Sequence, residues 1–301
     1  MLVDTHAHLD FTDDKEGWLV RAKEAGVGKI ICVGTSLEAS RKCMEIADKY
    51  SSDDLQIYAT VGIHAQDGKG DMEKYGSVEE CMEILKYTVP CDPKGSKVQN
   101  DNVRKVVGVG ETGFDFYNVT SDTEKKFQRE LFGAQIELAA ELKLPLVVHC
   151  RNAWGETFDI LERSRNESST VRSSTLRLGL EELRPNRFGM TDGGLWGVFH
   201  SWTGDWEAAK KALSLGFYIS FSGIVTFGNA PNVQEVARKM PIARMLLETD
   251  SPFLAPHPLR GSKNEPKNVK LVAEFIAQLR NFPLEKIMSV TSENAGRLFE
   301  I

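Results

Sequence analysis

The sequence has no C-x-x-C pair, and no apolar run approaches the ~20 residues needed to cross a bilayer. Its five cysteines, Cys32, Cys43, Cys81, Cys91 and Cys150, are an odd number. Zinc ribbons and thioredoxin-type redox motifs are therefore unsupported, and a reducing compartment fits. Positive charge is also short: 37 Lys and Arg stand against 43 Asp and Glu, a formal net charge of -6. That balance excludes a protein that grips nucleic acid mainly through a basic surface. A phosphate substrate would need its positive charge from elsewhere, and bound metal ions are one source. The N-terminus has neither the basic flank nor the apolar stretch of a secretory leader, so the cytoplasm is the expected location. Internal repeats are absent.

What is present is a regular alternation. Short apolar runs occupy residues 2–5, 29–33, 57–61, 105–109, 144–148, 195–199, 217–221 and 244–248. Several are continuous, such as Ile30-Ile31-Cys32-Val33, as expected for strands buried on both faces of a parallel sheet. Helical periodicity fills 15–25, 37–49, 78–87, 124–142, 154–162, 206–215, 233–239 and 269–279. Eight strands alternating with helices predict an α/β fold, either a closed (β/α)8 barrel or a large doubly wound sheet. The 301 residues suit one barrel domain spanning 1–301. Two stretches break the rhythm: 90–102 reads as a loop, and 164–194 as an insertion, with a short helix over Leu176–Leu183 and no catalytic role.

The polar residues decide between the two architectures. His6 and His8 end the first strand two residues apart, so both imidazoles face one side. Glu111 ends the fourth strand, His149 the fifth, His200 the sixth and Asp250 the eighth, while His64 lies just past the third. A barrel gathers all these carboxyl ends on one rim. Such groups at apolar strand ends are costly unless they satisfy one another or a metal. Four histidines and two carboxylates exceed the three protein ligands of a single catalytic zinc, but suit two divalent ions about 3.5–4 Å apart. His6, His8 and Asp250 would take one ion, His149 and His200 the other, and Glu111 would bridge. Zinc, manganese and magnesium all remain compatible. Asp250 is also the expected base for the attacking water, with Glu111 as its catalytic partner.

These segments closely resemble the TatD family of metal-dependent deoxyribonucleases in the amidohydrolase superfamily. The resemblance runs from Asp4-Thr5-His6-Ala7-His8-Leu9-Asp10 through Val61-Gly62-Ile63-His64, Gly110-Glu111-Thr112-Gly113-Phe114-Asp115 and Val148-His149-Cys150-Arg151. It continues in Leu247-Glu248-Thr249-Asp250-Ser251-Pro252, Arg260-Gly261-Ser262-Lys263-Asn264-Glu265-Pro266 and Asn294-Ala295-Gly296-Arg297-Leu298-Phe299. It implies a TIM-like barrel, two divalent ions on the six residues above, and a single-stranded or damaged DNA substrate cut from the 3′ end. His64 and Arg260 would then lie near a substrate phosphate, although a loop-ordering salt bridge suits Arg260 equally.

The sixth-strand motif departs from the family's His-Cys-Phe-Ser-Gly, reading His200-Ser201-Trp202-Thr203-Gly204. Trp202 is expected to pack beneath its loop, Arg151 to form a structural ion pair, and His257 to lie in a loop outside the site. A bridge of carbamylated lysine is disfavoured because the fourth strand ends in Glu111. Two rival readings differ in class: a hydrolase of another ester or amide, such as an aminoacyl-tRNA link, and a non-catalytic binding barrel. The intact ligand set speaks against the second. Nothing in the sequence specifies a subunit interface, and a monomer fits.

Overall fold

The structure is a computed structural model that describes residues 1–89, 105–175 and 194–301. Its strands are β1 (Leu2–Ala7), β2 (Val27–Val33), β3 (Gln56–Val61), β4 (Val106–Asp115), β5 (Leu146–Arg151), β6 (Gly197–Phe199), β7 (Tyr218–Phe221) and β8 (Met245–Leu247). They pair in sequence order, every pairing parallel. The ring is closed by a parallel bridge between Ala7 and Ser251. Two backbone bonds flank it: Asp250 N–H donates to His6 O at 2.8 Å, and His8 N–H to Ser251 O at 2.8 Å. The fold is thus a TIM-like barrel, not an open doubly wound sheet.

Around it stand α1 (Lys15–Glu24), α2 (Leu37–Tyr50), α3 (Gly68–Tyr75), α4 (Val78–Thr88), α5 (Asp122–Leu142), α6 (Trp154–Thr175), α7 (Trp206–Ser214), α8 (Pro231–Lys239), α9 (Val269–Arg280) and α10 (Leu284–Phe299). Local chemistry fixes several ends. Ser36 caps α2 by accepting from Ala39 N–H at 3.1 Å. Ser77 and Glu80 form a reciprocal capping box at the start of α4.

The core has two layers. Val3, Ile31, Val33, Tyr58, Val107, Val147, Val198, Tyr218 and Leu246 fill the barrel interior, with every strand contributing. Ala295, Leu298 and Phe299 from the end of α10 join this interior cluster. The larger layer lies between strands and helices and includes Cys32, Cys43, Cys81 and Cys150, all buried and none in a disulfide. Burial pushes the Cys150 thiol up to about 12, so it serves there as a small apolar group.

The structure differs from the sequence reading in three places. α3 and α10 were not anticipated. The segment from residue 164 begins by continuing α6 to Thr175. The predicted loop at 90–102 and the short helix over Leu176–Leu183 lie outside the described residues.

Candidate metal centre

All eight strands run the same way, so their carboxyl ends form one rim, where the predicted residues meet. β1 delivers His6, and His8 follows it directly. Backbone alternation holds both Nε2 atoms 3.3 Å apart. Glu111 enters from β4 beside Gly110, whose φ of +145° suits glycine, and a Cβ there would sit 2.4 Å from Val147 O. The Glu111 N–H is tied to Gly34 O at 2.8 Å. Asp250 follows β8 with a left-handed φ of 59°, a region that Asp and Asn tolerate better than most residues. Its N–H bond to His6 O and the bond from Phe253 N–H to its own carbonyl hold that conformation.

The distances divide the cluster in two. Glu111 Oε2 stands 3.3 Å from His6 Nε2 and 3.7 Å from His8 Nε2. Asp250 Oδ1 stands 3.3 Å from His8 Nε2 and 3.8 Å from His6 Nε2. On the other side, Glu111 Oε1 is 2.9 Å from both His149 Nδ1 and His200 Nε2, which are themselves 3.1 Å apart. One carboxylate thus serves both groups, an oxygen to each. His6 and His200 also stack, with ring centroids 4.0 Å apart, so the two groups share a wall.

His64 joins from the third-strand side. Its Nε2 lies 3.7 Å from Glu111 Oε1, and its ring stands edge-on to His149 at 4.6 Å. Its Nδ1 accepts from Gln66 N–H at 3.3 Å, which leaves the proton on Nε2, facing the cluster. Burial lowers its pKa to about 4, so it is a neutral donor at physiological pH.

Two functional candidates were missed in the sequence. Asp115 Oδ2 lies 3.4 Å from His149 Nε2, and Glu248 Oε1 lies 3.6 Å from His200 Nδ1. Each carboxylate stands behind a histidine whose other nitrogen faces Glu111, near enough for its charge to favour a cation on the ring, although His149 Nε2 and His200 Nδ1 are buried without a hydrogen bond. His8 Nδ1 does have a hydrogen-bond partner, Val33 O at 3.3 Å, which turns Nε2 to the cluster. The signal was available: Asp115 is four residues beyond Glu111 and Glu248 two before Asp250, spacings that share a face in extended chain.

The electrostatics match the geometry. Burial opposes charge on Glu111 and Asp250, yet the facing imidazoles hold Asp250 below the ordinary carboxylate range and Glu111 well below it. Burial likewise opposes charge on the histidines. The hydrogen bond to Asp250 and the charges of Glu111 and Asp250 nevertheless push His8 up to about 9. His200 is held well above its ordinary value by Glu111 and Glu248. His6 is lowered, first by burial and then by the nearby His200 charge.

Imidazole nitrogens aimed at one another around shared carboxylate oxygens are the donor set of a divalent cation site. Among the described residues, metal-capable groupings include His6–His8–Asp250, His6–Glu111–His200 and His64–Asp115–His149. The nitrogens turned to the cluster are His6 Nε2, His8 Nε2, His149 Nδ1 and His200 Nε2. The residues fit metal.

The remaining predicted residues fall elsewhere. Arg260 is exposed on the loop after β8, its guanidinium 4.3 Å from the centre of the Phe227 ring, and forms no salt bridge among the described residues. Arg151 lies over the Tyr117 ring at 3.7 Å instead of in the expected ion pair. Trp202 packs beneath its loop as expected, 1% exposed, with its indole N–H on Gly204 O at 2.8 Å. His257 is an exposed loop residue.

Comparisons with known proteins agree with this geometry. The family model described as TatD related DNase matches residues 3–300. The chain is 36% identical over 304 residues to the uncharacterized metal-dependent hydrolase YabD of Bacillus subtilis, covering 100% of both. It is 34% identical over 306 residues to the uncharacterized metal-dependent hydrolase YcfH of Escherichia coli K12, covering 100% of this chain and 96% of that one. Among solved structures, the TatD homologue YjjV of Escherichia coli K12 superposes with a TM-score of 0.77 at 27% identity, covering 100% and 98% of the two chains. The chain belongs to the TatD family and is a metal-dependent hydrolase.

Proposed function

We propose that this protein hydrolyses phosphodiester bonds in DNA, removing nucleotides from the 3′ end of single-stranded or damaged strands in the cytoplasm, as one catalytic domain. The observation that carries the reading is Glu111, which turns one oxygen toward each of two histidine groups. That placement suits a pair of divalent ions, zinc, magnesium or manganese, with His6, His8 and Asp250 on one, His149 and His200 on the other, and Glu111 between. When bound, such a pair supplies Lewis acidity at the phosphoryl oxygens and a nucleophile available at neutral pH.

The protein's own groups have separable tasks. Asp250 Oδ1, ionised at neutral pH, takes the proton of the attacking water. His64 offers its Nε2 proton to a phosphate oxygen without adding a charge that would repel the cations. Asp115 and Glu248 place negative charge behind His149 and His200. Arg260, stacked on Phe227, keeps its N–H donors for a substrate phosphate.

The test is a substrate panel with defined metals. Single-stranded DNA should shorten with added magnesium or manganese and stay intact with chelator. A metal-loaded protein that leaves DNA whole while turning over aminoacyl esters would replace this reading with the other ester chemistry.

Metal uptake carries its own expectation. Without metal, His8 keeps a proton until about pH 9, and coordination must expel it. Binding at pH 7 should therefore release protons, and affinity should rise from pH 6 to 9. Calorimetry in buffers of different ionisation enthalpy measures this. Uptake unchanged across that range counts against His8 as a ligand.

A further inference from the structure

Two aromatic groups stand on the rim at opposite sides of the metal centre. Phe11 ends the short 3-10 turn after β1, and Phe253 lies in the loop after β8. Their rings meet edge to face at 5.9 Å, and each also meets the His8 ring, at 5.6 and 5.9 Å. About half of each phenylalanine is open to solvent, 52% and 49%. Tyr117 follows β4 and is 56% exposed, with the Arg151 guanidinium laid over its ring. The Tyr117 N–H is bound to Asp115 Oδ1 at 3.0 Å, so this stack hangs from the carboxylate that faces His149. β1 and β8 are neighbours across the seam, whereas β4 and β5 lie half a turn around the ring. The ligand cluster therefore sits between the two groups.

Each of these rings buries only about half of its surface, which leaves the rest open to a ligand at the barrel mouth. Small, flat and separated, they do not form the continuous patch that a protein partner covers. They suit two flat ligands held on either side of a reacting bond. The net charge of -6 points the same way: affinity for a polyanion has to come from the metals and from contacts indifferent to charge.

We propose that Phe11–Phe253 and Tyr117–Arg151 are two stacking platforms, each receiving an unpaired base of the nucleotides that flank the scissile phosphodiester. The inference rests on the phosphodiesterase reading above and adds how that substrate is recognised. Stacking tolerates any base because every base has a π-face. It does require the bases to be unstacked from each other, so a paired duplex is a poor substrate whatever its sequence. Arg151 adds a delocalised cation to the second platform.

The experiment compares five manganese-loaded proteins: wild type, Phe11→Leu/Phe253→Leu, Phe11→Tyr/Phe253→Tyr, Tyr117→Leu, and Tyr87→Leu as an exposed-aromatic control at the end of α4. Substrates are a short single-stranded oligodeoxynucleotide and the same strand with abasic residues flanking the cleaved bond. Each platform variant should raise KM on the base-bearing strand about fivefold or more, with a much smaller effect on the abasic strand. The Tyr87 variant should match wild type, and Phe11→Tyr/Phe253→Tyr should restore KM because it keeps the rings. Equal losses on both strands, or losses confined to kcat with reduced metal content, would show that the rings only support His8 and would overturn the proposal. Unchanged KM in the platform variants would overturn it too. Wild-type protein that cleaves neither strand removes the phosphodiesterase reading, and this inference with it.

Discussion

Glu111→Gln is expected to lower kcat/KM about 10³-fold or more while leaving the barrel folded. The two oxygens of Glu111 are not equivalent spares: one faces His6 and His8, the other His149 and His200. A glutamine of the same shape keeps one acceptor and replaces the other with an N–H2 donor aimed at a group of imidazole nitrogens. Both histidine groups lose the negative charge, and whichever way the amide turns, one of them also meets a donor. Metal content by elemental analysis should fall below that of wild type under matched loading. The pKa values of His200 and His8 should drop together, because Glu111 helps to raise both. Near-normal turnover and metal content in this variant would mean that the two groups do not work as one centre.

Asp250→Asn should cost about 10²- to 10⁴-fold in kcat, the range for loss of a positioned proton acceptor. Asn tolerates the left-handed backbone of this position, so the bonds to His6 O and from Phe253 N–H should survive and thermal stability should change little. The His149–His200 side does not depend on Asp250 and should still take up metal. The diagnostic pattern is partial metal retention with a collapsed rate. Full metal loss would assign Asp250 a purely structural part in binding, and an unchanged rate would move the base elsewhere.

Much of this architecture could be read from the chain because strand burial leaves a strong trace. Val147 and Leu146 point to opposite faces and both are buried, so β5 is apolar at consecutive positions. Convergence of the six strand-end residues then followed from the barrel itself, since no local pattern links His6 to Asp250. The misses have physical reasons. α3 carries few buried side chains and reads as polar, glycine-containing loop. α10 does carry a helical stripe, with Ile287, Thr291, Asn294, Ala295 and Leu298 buried, but Thr291 and Asn294 interrupt its apolar character. Both are buried because they bond to backbone, Thr291 to Ile287 O at 2.8 Å and Asn294 to Met245 O at 2.9 Å. Asp115 and Glu248 carry a spacing signal relative to Glu111 and Asp250, but that spacing does not say which histidine each one faces. Arg260 rests on the Phe227 ring because a guanidinium suits an aromatic face as well as an anion.

His6 and His8 leave the ribosome near the beginning of synthesis, and Asp250 only after most of the chain has been made. At ordinary elongation rates, roughly 10–50 s separate them. No nascent fragment ending before residue 250 contains all six cluster residues, and none can form the Ala7–Ser251 bridge. A cation held across that seam would act as a rivet between the first and last strands, and would be captured only once translation is nearly finished. Metal availability would then govern the last step of maturation more than the earlier ones.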